Sequence, residues 1–320
     1  MTSIQVKDPR DLRYFVSGHR GMVGSAITRA LEAAGCHDRI EATRSDLDLT
    51  NQQDTVDFVS EASPDVIVVA AAKVGGIYAN DTYPAEFLYD NLMIAANLVH
   101  AAYQNGTSRL LVLGSSCIYP RMASQPMAEN ALLSGPLEPT NEAYSVAKIV
   151  GVKLCEFYRK QYGSNFHSLM PCNLYGIGDN YHPENSHVLP GLLRKFHEAK
   201  GSQAGSVTIW GTGTPRREFL FADDLAEGCL HALSLEDPPS LLNIGYGSDV
   251  TVMELARLIA DTVEYTGEIQ LDPSKPDGVP QKLLDSSVIN SLGWKPRTSL
   301  EEGLKLAYSD FCESESIRAK

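Results

Sequence analysis

The chain has 320 residues, an ordinary globular composition and a formal net charge of -13, which argues against nucleic acid as a partner but leaves room for small anions held by local arginines. Its six cysteines (Cys36, Cys117, Cys155, Cys172, Cys229, Cys312) are scattered, without Cys-x-x-Cys or clustered histidine, so neither a disulfide framework nor a zinc site is expected. The first eight residues lack the apolar segment of a signal peptide, and the longest strongly apolar run, 66–72, is too short to cross a bilayer; the expected compartment is the cytosol.

In chain order, 12–16 reads as a strand, and Gly18-His19-Arg20-Gly21-Met22-Val23-Gly24 as a turn. A helix over 25–34 follows, with Ala26, Ile27, Ala30 and Leu31 on one face. A short strand at 40–43, a helix at 54–62 and an apolar strand at 65–70 come next. Pro84 opens a helix to Tyr103, 110–113 is a further buried strand, 142–162 a helix and 168–170 a strand. Strands alternating with helices specify a Rossmann-type α/β fold, a doubly wound parallel sheet. Beyond Pro171 the rhythm loosens. Residues 173–187 are polar, 188–199 helical, and 207–210 and 218–221 short strands. Asp223 or Asp224 is placed to cap a helix to Leu233, Thr251 starts another to Glu264, 272–278 is a loop, and Ser299-Leu300-Glu301-Glu302 is a capping box opening the last helix. The segments before Leu12 and at 313–320 are expected to fray. The division expected is a dinucleotide-binding unit over 1–171, to which 218–245 returns, and a smaller C-terminal α/β substrate lobe from 172–217 and 246–320.

The glycine turn lies between strand and helix, where glycines let the backbone approach a pyrophosphate at the helix N-terminus. Its spacing, Gly-x-x-Gly-x-x-Gly, departs from the strict dinucleotide fingerprint. Arg20 in the turn and Arg44 after the second strand are placed for the 2′-phosphate of NADP, while Glu41 would instead suit the ribose of NAD. Asp46 and Asp48 either touch the adenine edge or cap the following turn. Downstream, Tyr144 and Lys148 stand four residues apart on one helix face, where an ammonium would lower the phenol's pKa and suit it to give a proton to a carbonyl oxygen.

Several segments carry a more specific resemblance: residues 18–24, Ala70-Ala71-Ala72-Lys73-Val74-Gly75-Gly76, Gly114-Ser115-Ser116-Cys117-Ile118-Tyr119-Pro120, Asn185-Ser186-His187-Val188-Leu189-Pro190 and Lys275-Pro276-Asp277-Gly278. Over about 12–311 the chain resembles the extended short-chain dehydrogenases/reductases, and within them the GDP-L-fucose synthase family. The resemblance implies conversion of GDP-4-keto-6-deoxy-D-mannose by epimerisation at C3 and C5, with Cys117 as base and His187 as acid. Reduction at C4 follows, with hydride from NADPH, a proton from Tyr144, Lys148 beside it, and Ser115, or alternatively Ser116, on the C4 oxygen. It also implies a cofactor site of Gly18, His19, Arg20, Gly21, Met22, Val23, Gly24, Arg44, Asp48, Leu49 and Ala71. Leu113, Gly114, Ser115, Ser116, Tyr144, Lys148, Pro171, Asn173, Leu174 and His187 complete that site. Lys195, Trp210, Arg217 and Asp277 would hold the GDP-sugar, and Arg216 would be solvated. Ile177, Cys172 and Phe221 depart from a usual proline, threonine and histidine. A homodimer is expected through the helices at 84–103 and 142–162, whose apolar stripes include Phe87, Met93 and Val99. The rival readings are an NAD-dependent sugar-nucleotide 4-epimerase, which needs no Cys117–His187 pair, and a dinucleotide-sensing regulatory protein.

Overall fold

The two most apolar runs of the chain lie side by side at the middle of a parallel sheet. The computed structural model describes residues 8–183, 185–275 and 277–314. Along the first half run β1 (Tyr14–Ser17), α1 (Met22–Ala33), β2 (Arg39–Ile40), α2 (Gln52–Ala62), β3 (Val66–Val69) and α3 (Ile77–Thr82). They are followed by α4 (Pro84–Asn105), β4 (Arg109–Leu113), α5 (Glu142–Tyr162) and β5 (Phe166–Pro171). The second half contains β6 (Asn173–Tyr175), α6 (Val188–Gly201), β7 (Ser206–Trp210), β8 (Arg216–Phe221), α7 (Ala222–Ser234) and β9 (Leu241–Ile244). Then come β10 (Asp249–Thr251), α8 (Val252–Val263), β11 (Glu268–Asp272), β12 (Gln281–Lys282), α9 (Ser287–Ser291) and α10 (Leu300–Glu313).

The main sheet has the order β2-β1-β3-β4-β5-β9, parallel throughout. All four residues of β3 and the last four of β4 are buried, because helices cover both faces: α1 and α7 pack together on one side, α2, α4 and α5 on the other. The order reverses between β1 and β3, which is where open α/β sheets bind ligands.

A second sheet is built around β8, with β10 antiparallel on one edge, β12 parallel on the other and β6 pairing with its C-terminal part. β11 and β7 form a separate ladder. Around these lies an aromatic-rich core containing Tyr175, Phe196, Phe219, Phe221 and Phe311. Phe221 belongs there: it is 4 % exposed and meets Tyr175 at 5.7 Å between ring centroids, with Ile177 packed on the same core. Glu218, on β8, is fully buried. Its Oε1 accepts Gly247 N–H at 2.7 Å, its Oε2 accepts Leu284 N–H at 3.0 Å, and its backbone oxygen accepts Asn173 Nδ2 at 2.8 Å.

Several expectations need correction. Neither Asp223 nor Asp224 caps α7, whose N-cap is Phe221; both lie in its first turn. Asp224 instead accepts the Arg297 and Thr298 N–H groups, and Asp223 pairs with Arg29. Of the segment 218–245, α7 and β9 adjoin the main sheet, whereas β8 belongs to the second, because its edges are taken by β6, β10 and β12. Residues 173–187 contain β6, and Asp272 ends a strand. The start of the described chain is tied down rather than frayed: Tyr14 Oη donates to Pro9 O at 3.0 Å and Asp8 caps a short turn. The remaining expected fraying, at 1–7 and 315–320, lies outside the described residues. Phe87 and Val99 are buried within the chain, 2 % and 0 % exposed, because α4 turns them inward. Arg216 is solvated as expected and is also paired with Asp249 at 2.7 Å.

His167, on β5, is fully buried, and neither ring nitrogen has a partner among the described residues. Burial pushes its pKa down to about 3, with Arg159 and Arg109 adding to the shift. The unfolded chain takes up this proton near pH ~6.5, so the stabilisation is complete above that value and is lost as pH falls toward about 3. Thermal melts at about pH 7 and about pH 5 should show the wild type losing stability, and His167→Leu losing less of it. Equal losses in the two proteins would remove His167 as a cause.

Candidate active site

A cavity of about 710 Å³ runs across the C-terminal ends of β1, β3, β4 and β5. One end is made by the glycine turn. Gly18 has φ +78°, and a Cβ on it would lie 2.9 Å from Ala71 N; a Cβ on Gly24 would collide with Gly18 O and sit 2.8 Å from His19 Cα. The turn therefore closes tightly on both α1 and the loop after β3, a fit that only glycine permits. Gly21, the N-cap of α1, supplies no side chain to the first-turn N–H groups, which are left to face an anion. These features fit a dinucleotide pyrophosphate.

Residues 18–24, Arg44, Asp48, Leu49, Ala71, Gly114, Ser115, Ser116, Tyr144, Pro171, Asn173, Leu174 and His187 all line this cavity. Leu113, Lys148 and Cys117 lie just behind its wall: Lys148 Nζ donates to Leu113 O at 2.9 Å, and Cys117 is 6 % exposed. Arg20 and Arg44 both face the cavity, and neither makes an ion pair among the described residues. Glu41 is not on the wall; it stands 4.0 Å from His19 Nε2. Asp46 and Asp48 serve their turns, accepting Thr43 N–H at 2.9 Å and Thr50 N–H at 3.0 Å.

At the other end stand the titratable groups. Tyr144 and Lys148 share a face of α5, with Nζ 5.6 Å from the phenol ring centroid, and Phe87 meets Tyr144 edge-on at 6.3 Å. The expected lowering of the tyrosine pKa is reversed. Burial, reinforced by Cys117, raises it, while burial lowers Lys148 to about 8 and its ammonium is directed to Leu113 O. Desolvation outweighs the charge of a neighbour that is itself desolvated. Ser115 and Ser116 do not alternate as in a strand, because Ser116–Ile118 is a single 3-10 turn whose N-cap Ser115 accepts Cys117 N–H at 3.4 Å; both serines reach the cavity. His187, the N-cap of α6, opens onto the cavity. The surrounding protein lowers its pKa, and Lys282 adds to the effect.

The four residues expected to hold the GDP-sugar lie beyond this wall, around the second sheet and its neighbouring ladder. Trp210 is 68 % exposed with Lys275 Nζ 5.4 Å above its ring. Asp277 accepts Thr212 N–H at 2.9 Å, Lys195 donates to Thr208 O, and Arg217 donates to Val279 O at 2.6 Å. Pro276, in the same motif, lies outside the described residues. Sequence reasoning missed Lys282. β12 pairs with β8 so that Lys282 stands opposite Arg217; burial lowers its pKa and Arg217 adds to the shift, against Cys117 and Glu138. A two-residue strand with no apolar pattern offered no local signal.

Residues 14–245 match the model of the NAD dependent epimerase/dehydratase family. The chain is 52 % identical over 312 residues to a GDP-L-fucose synthase of Escherichia coli (strain K12), covering 95 % of this chain and 97 % of that one. It is 52 % identical over 299 residues to GDP-L-fucose synthase 1 of Arabidopsis thaliana, covering 93 % of each. Among solved structures, a GDP-mannoheptose C4 reductase from Campylobacter jejuni with NADP bound is 35 % identical and superposes with a TM-score of 0.87, covering 96 % of this chain and all of that one.

Arg44→Ala should raise the Michaelis constant for NADPH by about tenfold or more, the worth of a charge-assisted contact, and leave that for NADH nearly unchanged. Equal effects on both cofactors would return Glu41 to consideration.

Proposed function

The chain belongs to the NAD dependent epimerase/dehydratase family, in the branch of the GDP-L-fucose synthases, and we propose that it converts GDP-4-keto-6-deoxy-D-mannose to GDP-L-fucose with NADPH. One observation carries the reading: Tyr144, Ser115 and His187, with Cys117 and Lys148 directly behind, gather at one end of a cavity whose other end is a glycine turn flanked by two arginines that make no ion pair among the described residues. The family expectation, the α/β fold and the NADP(H) cofactor stand together on this arrangement and these relatives.

NADPH supplies the hydride that C4 accepts. The C4 ketone makes the hydrogens on C3 and C5 acidic, so each centre can be inverted by a base on one side and an acid on the other. We assign Cys117 as the base. The ammonium groups of Lys148 and Lys282 are within electrostatic reach of it. His187 returns the proton; the protein around it disfavours its charged form, so a proton it acquires is readily given up. Tyr144 keeps its proton until the C4 oxygen becomes an alkoxide, a far stronger base than a phenolate, and Ser115 orients that oxygen. Lys195, Trp210, Arg217 and Asp277, joined by Lys282, are the groups we assign to the GDP moiety.

We assign dinucleotide binding to 1–171 with α7 and β9, and GDP-sugar binding to the second sheet and its helices. All six cysteines are free, as in a reducing cytoplasm, and among the described residues no helix is long and apolar enough to cross a membrane. The outer sides of α4 and α5 expose Tyr89, Tyr103, Val146, Phe157 and Tyr162, a patch that a second copy related by a two-fold axis would cover.

With oxidised cofactor, the enzyme should exchange the substrate's C3 and C5 hydrogens with deuterated solvent. Cys117→Ser should abolish exchange at one or both carbons. Tyr144→Phe should retain exchange yet lose about 100-fold or more of NADPH oxidation, the usual contribution of a general acid. Reduction without any exchange in the wild type would make the protein a plain 4-reductase. Light scattering should give the mass of a dimer at micromolar concentration, shifted toward the monomer by Phe157→Asp; a monomeric wild type would remove the α4–α5 interface.

A further inference from the structure

Asp179 faces the cavity and has no part in the chemistry above. It lies in the loop after β6, is 8 % exposed, and its Oδ1 accepts the neighbouring Asn180 N–H at 2.7 Å. Its Oδ2 is buried without a partner among the described residues. Gly178, one residue earlier, stands against the start of α1: a Cβ on it would lie 4.0 Å from Met22 Cα. The carboxyl thus sits on the wall that meets the first turn of α1, the place where an anionic phosphate docks.

An ionised carboxylate there would be buried with unfilled acceptor sites and would repel an anionic ligand, whereas the neutral acid has an O–H to give. Its surroundings favour the neutral form. Tyr181 follows it on the loop, and Asp310 on α10 accepts Gly178 N–H at 2.8 Å. His182 on the same loop receives Asn185 N–H on Nδ1 at 3.1 Å, and His187, His19 and Arg20 face the same cavity. Burial pushes the Asp179 pKa up to about 7.

We propose that Asp179 meets the dinucleotide as a neutral carboxylic acid, its free oxygen donating a hydrogen bond to an acceptor of the bound cofactor, so that binding draws in one proton from solvent. This role takes the NADPH site above as given.

The test is calorimetric titration of the full chain with NADPH at about pH 8, in two buffers of different ionisation heat, which counts protons taken up per cofactor bound. Lys148, lowered to about 8, also titrates in this range, so Asp179→Asn, which donates an N–H at every pH, assigns the proton. Wild type should take up close to one proton more than the variant. The ratio of wild-type to variant Kd should grow from about 1 near pH 6 to about 10 near pH 8, tenfold per pKa unit crossed. Equal uptake by the two proteins, or wild-type binding with no uptake at all, overturns the assignment. A wild type that binds no NADPH at any pH overturns the cofactor reading itself, and the role of Asp179 with it.

Discussion

The approach of three backbone segments at the glycine turn is the constraint from which the site follows. Gly18 touches Ala71 beyond β3 and lies under Gly24 of α1, with no room for a Cβ at either glycine. That contact sets the angle at which α1 leaves the sheet and brings its uncapped first turn over the strand ends. Residues gathered from β3, β4 and β5 converge on the same place because parallel strands end together on one side. α5 then delivers Tyr144 and Lys148 to it by packing along α4.

Burial, more than pairing, sets the electrostatics of this site. It raises Tyr144 and lowers Lys148 and Lys282, while His187, exposed to the cavity, is lowered by the protein around it. Each group is pushed toward its neutral form, so charge enters with the ligands and with the steps of the reaction. A site of this kind favours proton transfers over fixed ion pairs, which matches a reaction made of successive deprotonation, reprotonation and reduction. Arg20 and Arg44 line the cavity at its exposed end.

What could be read from the sequence divides along physical lines. β3 and β4 are continuous apolar runs, and the Thr251 and Ser299 capping boxes are local side chain–backbone contacts, so pattern alone located them. The glycine turn was legible for the same reason: it is a local solution to a steric problem. β12 and β10 carry no periodicity and exist because β8 offers them an edge, and so Lys282 went unnoticed. The tyrosine pKa was misjudged because spacing on a helix records proximity and says nothing of solvent. Phe87 and Val99 looked like an outward stripe, but the long α4 is covered by different neighbours along its length. Asp179 carried no signal at all, since an Asp in a polar loop is ordinary until the loop folds over a cavity.

Glu218 binds together Gly247, Leu284 and Asn173, three points far apart in the chain. The strand that carries it is flanked by β6, β10 and β12, and runs directly into α7, which packs on α1 beside the nucleotide turn. The second sheet is thus woven through the frame of the main sheet and cannot be lifted out as a cassette. Recombination at either crossing would expose a buried carboxylate and orphan a strand edge.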